Sequence, residues 1–146
     1  MILISMCLLG VECKYNGKSN HNPEIINFLK ENNICFIPIC PEQLGGLPTP
    51  RPCAEIRNGK VYNIYNEDKT ENFLKGAKET LKLVKEFNIK LAILKSKSPS
   101  CGYGKIYDGT FKGILIDGNG ITAEILKENG VKIFNEKNWR KIIKFL

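Results

Sequence analysis

The sequence predicts an α/β fold: a single Rossmann-like domain of three layers spanning residues 1–146, with a short, mainly parallel sheet and cysteine-bearing loops at the C-terminal ends of its strands. Three observations carry that prediction. Short apolar runs alternate with stretches of helical periodicity, which is the pattern of βαβ units. The apolar runs are nearly continuous in Ile, Val, Leu and Phe, as strands covered on both faces are. Cysteines follow three of the runs, at the edge where an open α/β sheet places its ligands.

The first strand is expected over Ile2–Met6. The opening run Met1–Leu9 has no basic leader and no small-residue cleavage site, and it falls short of the roughly 20 apolar residues that cross a bilayer. A helix follows Asn22-Pro23, an N-cap and a first-turn proline, with Ile26 and Leu29 on one face up to about Asn32. The second strand is Ile34–Ile39. From Thr70, the spacing of Phe73, Ala77, Leu81 and Val84 predicts the longest helix, ending near Phe87. Leu91–Leu94 and Val131–Ile133 complete the strands. Between them a helix runs from about Thr122 to Glu128, closed by Gly130, and a last helix is expected from about Glu136 to the end. Two connections, Cys40 to about Asp68 and Ser96 to about Gly120, are longer than a scaffold requires and point to function.

The composition, 42% hydrophobic and 25% charged, is that of an ordinary globular chain and excludes extended disorder. With no secretory leader the expected location is cytoplasmic. In that reducing setting, metal binding or catalysis is the use for six cysteines, rather than disulfides. The net charge of +7 is spread over 22 Lys and Arg without a basic block, so it reads first as a solvated surface. RNA remains as a second reading of that charge; a membrane does not.

If the strands are parallel, Cys7, Cys40 and Cys101 share one sheet edge. Neighbouring strands lie about 4.8 Å apart, so the three thiols can gather round one metal centre. Cys35, inside a strand, reads as a small buried hydrophobe, and Cys53 as an incidental thiol in a proline-rich loop. Cys13 can fold back as a fourth ligand or as a thiol touching the ligands. The chain has no paired C-x₂₋₄-C knuckle, and its one histidine, His21, precedes a helix cap and reads as a surface residue. Dispersed thiols without histidine suit an iron–sulfur centre with one open iron better than zinc, although spacing alone leaves zinc open.

Pro41 fixes the chain after Cys40 and aims Glu42 at the same edge, for acid–base work or for pairing with Arg51. Ser98 and Ser100 can donate to a cluster or a substrate, or bond their own backbone in a turn. Gly102 permits close backbone approach to the centre.

These residues carry a resemblance. Cys-Leu-Leu-Gly at 7–10 with Cys-Lys-Tyr-Asn-Gly at 13–17, Cys-Pro-Glu-Gln-Leu-Gly-Gly-Leu-Pro-Thr-Pro-Arg at 40–51, Leu-Lys-Ser-Lys-Ser-Pro-Ser-Cys-Gly at 94–102 and Tyr-Asp-Gly-Thr-Phe-Lys-Gly at 107–113 fall in order over nearly the whole chain. Together they resemble the 2-thiouracil desulfidase family, long catalogued as a domain of unknown function. The resemblance implies a 4Fe-4S cluster held by Cys7, Cys40 and Cys101, with the fourth iron free for exogenous sulfur. It implies that Glu42 and Ser98 act on the substrate and that Cys13 is not a ligand; Cys53 and Glu12 depart from the family pattern. The implied reaction is non-redox conversion of 2-thiouracil to uracil and hydrosulfide. Thiolated nucleotides or tRNA bases are the alternative substrates, and a non-hydrolytic sulfur carrier is the alternative function.

Overall fold

The computed structural model describes residues 1–146. Its centre is a parallel sheet of four strands, β1 (Ile2–Ser5), β2 (Phe36–Ile39), β5 (Leu91–Ile93) and β8 (Lys132–Phe134), in the order β2-β1-β5-β8. The register sets Ile2 beside Phe36, Leu3 beside Ala92 and Ala92 beside Ile133. Every residue of β1 is buried, because β1 is flanked on both sides and covered on both faces.

Side-chain alternation along the strands builds the two outer layers. Ile2, Ile4, Ile93 and Phe134 pack against Ile25 and Leu29 of α1 (Pro23–Glu31) and against Trp139 and Ile142 near the C-terminus. Leu3, Ala92, Leu94 and Ile133 pack against Val84 of α3 (Thr70–Glu86) and against Ala123 and Leu126 of α4 (Ile121–Glu128). The predicted three-layer arrangement is therefore present. From β1 the chain leaves by α1 on one face, and from β2 it returns by α3 on the other, so the crevice lies at the C-terminal ends of β1 and β5.

Four local expectations change. Cys35 is exposed, not buried: it precedes β2, an edge strand partnered only by β1, and Phe36 beside it is itself 40% exposed. The buried face of α1 uses Ile25 with Leu29 rather than Ile26, and the Asn22 side chain caps it by accepting from Ile25 N–H at 3.2 Å. The last helix is a 3₁₀ stretch, Trp139–Phe145. Its start is delayed because Asn135 and Asn138 bond each other's backbone, and because Glu136 turns away to Lys95 and Ser96.

Both long connections hold small elements. Residues after Cys40 form the one-turn helix α2 (Pro41–Leu44) and the hairpin β3 (Ala54–Arg57) with β4 (Lys60–Asn63). Asn58-Gly59, both at positive φ, makes the tight turn, and that dipeptide was a readable hairpin signal. The second connection holds β6 (Lys105–Tyr107) paired with β7 (Leu115–Asp117). No helix is long and apolar enough to cross a membrane.

Helix α2 is seated on α3 through two glycines. A Cβ on Gly76 would stand 1.8 Å from the Pro41 carbonyl oxygen, and one on Gly45 would stand 2.0 Å from the Asn72 carbonyl oxygen. Alanine exceeds glycine in helix propensity by about 1 kcal/mol, so Gly76→Ala would stabilise an ordinary helix. Here it is expected to destabilise by about 1–3 kcal/mol through overpacking, read as a lower denaturation midpoint.

Candidate active site

At the C-terminal edge of the sheet lies a cavity of about 550 Å³, a volume typical of small-molecule sites. Cys7, Cys13, Cys40 and Cys101 all line it, together with Glu42, Ser98 and Ser100. Cys7 sits in a 3₁₀ turn, Met6–Leu9, that carries the chain off β1. Its carbonyl accepts from Asn20 N–H at 3.0 Å, and the Asn20 amide nitrogen reaches its sulfur at 3.4 Å. Cys40 ends β2 as the N-cap of α2, and Cys101 lies in the loop after β5. All four are buried.

The Cys13 thiol is the hub of the first three. Its hydrogen bonds hold Cys7 down to about 7 and Cys40 down to about 6, in each case against the effect of burial. The same bonds push the Cys13 thiol itself well up, which makes Cys13 the donor to the other two. Burial pushes Cys101 up to about 12. No three His, Cys, Asp or Glu side chains close on one point as a single metal ion requires.

Arg51 anchors the carboxylate. Its guanidinium donates to the Pro48 carbonyl (3.2 Å), the Thr49 hydroxyl (2.9 Å) and the Cys13 carbonyl (3.0 Å), and its Nε donates to Glu42 Oε1 at 3.0 Å. The side chains of Arg51 and Glu42 are 5% and 14% exposed, which puts the pair in a poorly screened setting. The other oxygen, Glu42 Oε2, accepts from the Ser100 hydroxyl at 2.9 Å. The pairing with Arg51 expected from the sequence is present, and the same carboxylate also lines the cavity.

The serines form a chain. Ser98 Oγ lies 3.0 Å from Ser100 Oγ and accepts from the backbone N–H of Ser100 (3.1 Å) and of Cys101 (3.0 Å). With its acceptor positions filled by two N–H groups, Ser98 donates to Ser100, which donates to Glu42. The turn is held by α4: Ile121 N–H donates to the Pro99 carbonyl, and Thr122 and Ala123 N–H to the Ser100 carbonyl, at 2.9–3.0 Å. Gly102 serves this turn rather than the cavity, since a Cβ there would stand 2.6 Å from the Ser98 carbonyl oxygen and the residue does not line the cavity.

Several lining residues escaped the sequence reading. Cys53 joins the wall, as do Tyr15, Asn20 and Lys95. Lys95 Nζ lies 2.8 Å from Glu136 Oε1. Burial would raise the Glu136 carboxyl, but hydrogen bonds from Lys95 and Ser96 outweigh it and hold the group below its ordinary value. No motif spacing joins residue 95 to residue 136; only the adjacency of β5 and β8 does.

The family described as 2-thiouracil desulfurase matches residues 2–138. The Bacillus subtilis (strain 168) protein YbbK, described as uncharacterized, is 42% identical over 98% of this chain and all of its own length. The solved structure of TudS, described as a [4Fe-4S]-dependent thiouracil desulfidase, is similar with a TM-score of 0.92 at 36% identity, over 99% of this chain and 95% of that one.

Proposed function

Because the chain belongs to the 2-thiouracil desulfurase family, we propose that it is a desulfidase acting on a thiolated pyrimidine, converting 2-thiouracil and water to uracil and hydrosulfide without redox chemistry. In this reading residues 1–146 act as one unit, with Cys7, Cys40 and Cys101 holding a 4Fe-4S cluster. The observation that carries it is one cavity in which buried thiols from the ends of three parallel strands meet a carboxylate–hydroxyl chain.

The donor set fits the cofactor. Two of the three thiols are held below the ordinary cysteine value by their hydrogen bonds with Cys13, which eases the loss of their protons to a metal. The set is of sulfur donors with no histidine beside them on the cavity wall, as the cysteine ligands of iron–sulfur clusters are. Cys13, still protonated, supports Cys7 and Cys40 from the side. When bound, the cluster supplies an open iron, a Lewis acid for the thiocarbonyl sulfur.

The remaining work falls to the chain's own groups. Arg51 holds Glu42 in place, so that Oε2 is positioned to accept a proton from the water that attacks the thiocarbonyl carbon. The Ser98 hydroxyl, whose acceptor positions are filled by two backbone N–H groups, either turns its one proton from Ser100 to the pyrimidine or relays it through Ser100 toward Glu42. The carbon–sulfur electron pair leaves with sulfur, the proton held on Glu42 passes to that sulfur, and the second water proton leaves the new carbonyl oxygen to the freed Glu42 carboxylate, which returns it to solvent. Ser100→Ala is expected to lower kcat roughly 10- to 100-fold, the range of one lost hydrogen bond to a charged group, with iron content unchanged.

The test is anaerobic reconstitution with iron and sulfide, metal quantification, and measurement of uracil formed from 2-thiouracil. Retained iron and sulfide with no uracil would favour a sulfur carrier. A thiolated nucleotide or tRNA base is the second reading, favoured by Lys14 and Lys97, which line the cavity with no carboxylate partner. Competition between free thiouracil and thiolated tRNA separates the two.

A further inference from the structure

The motif Tyr107–Gly113 is not used by the chemistry above, yet it supplies Tyr107, Phe111 and Gly113 to the cavity wall. Its backbone is held by a carboxylate from another element. Glu55 Oε1, on β3, accepts from Gly109 N–H at 3.0 Å and from Phe111 N–H at 3.1 Å. Between those donors Asp108 Oδ1 accepts from both the N–H (2.9 Å) and the hydroxyl (2.6 Å) of Thr110, closing the turn on itself.

Two positions show how far the loop is specified. Gly109 has φ +92° and packs so closely on β3 that a Cβ would stand 2.8 Å from the Ile56 carbonyl oxygen. Phe111 has φ +59°, a left-handed conformation that disfavours a bulky side chain and persists only where its surroundings enforce it. An aromatic residue in strained backbone, pinned by a carboxylate that makes no ion pair, is more costly than mere wall-filling requires.

We propose that Phe111 is the residue that recognises the flat pyrimidine, stacking on its face, and that Glu55 is a positioning residue that fixes the loop for that purpose. The inference rests on the desulfidase reading and adds to it the group that selects a ring over any other thiocarbonyl. Stacking needs no match to individual ring substituents, so the same surface serves 2-thiouracil and its product.

The experiment uses the reconstituted holoenzyme, with 2-thiouracil and acyclic thiourea as substrates and with uracil binding measured by calorimetry. Phe111→Leu keeps an apolar side chain and loses the ring. It is expected to raise the KM for 2-thiouracil and the dissociation constant of uracil roughly 5- to 100-fold, the range of base–aromatic stacking, with little effect on kcat or on thiourea. Phe111→Tyr should retain wild-type binding. Glu55→Ala should raise the same constants without altering iron content, and Glu55→Gln, which keeps the acceptor oxygen, should restore them.

Unchanged uracil affinity and unchanged KM in Phe111→Leu would overturn the proposal while leaving the desulfidase reading intact. A wild-type holoenzyme that binds uracil but turns over no 2-thiouracil would overturn that reading, with the uracil comparison still deciding the stacking role. Should Phe111→Leu fail to fold, the Glu55 pair decides: equal uracil affinity in Glu55→Ala and wild type refutes the positioning of Phe111.

Discussion

Glu42→Gln is expected to lower turnover of 2-thiouracil by roughly 10²- to 10⁴-fold, the range for loss of a positioned general base, while iron and sulfide remain at wild-type levels. Glutamine keeps a carbonyl oxygen for Arg51, so the substitution removes the negative charge and leaves most of the hydrogen-bond frame of Arg51, Thr49 and the Cys13 carbonyl. Glu42→Ala goes further, because it strands a guanidinium whose side chain is only 5% exposed, and removing one member of a buried pair costs about 3–5 kcal/mol. The two variants therefore separate chemistry from architecture. Turnover by Glu42→Gln within a few fold of wild type would remove Glu42 from the proton path.

The largest effect belongs to the proposed ligands. Cys40→Ala is expected to abolish cluster assembly, measured as loss of bound iron and sulfide and of the visible absorption of the reconstituted protein. The same measurement on Cys35→Ala should show no change, since Cys35 is exposed and lies outside the cavity. Cys13→Ala should hold iron, because Cys7, Cys40 and Cys101 remain; an iron content as low as that of Cys40→Ala would make residue 13 a ligand. These comparisons need only the apoprotein and reconstitution chemistry, and so do not depend on which substrate is used.

The frame of this fold was legible because strands buried on both faces leave an unbroken apolar signature. Ile2–Ser5 and Leu91–Ile93 lie where their apolar runs put them, and α3 follows the three- and four-residue spacing of Phe73, Ala77 and Val84. The hidden parts have physical reasons. Cys35 misled because a strand run does not reveal whether its strand will lie at the sheet edge, and β2 does. The β6–β7 hairpin is short, and all three residues of β7 are exposed, so it had no buried face to write into the sequence. The gathering of Cys7, Cys40 and Cys101 on one cavity follows from strand order alone, but the clamp of Glu55 on residues 109 and 111 joins hairpin to loop across more than 50 positions and has no local pattern.

The cysteines also divide between the two outer layers. Cys7, Cys13 and Cys40 pack with the apolar cluster on the α1 side, whereas Cys101 packs with the cluster on the α3 and α4 side. A cofactor bound by Cys7, Cys40 and Cys101, as proposed, would be a rivet through the end of the sheet, adding to the link that Arg51, Glu42 and Ser100 already make between the two sides. Occupancy and unfolding would then become one linked equilibrium, in which the iron proposed for the chemistry also keeps the two sides of the molecule from parting.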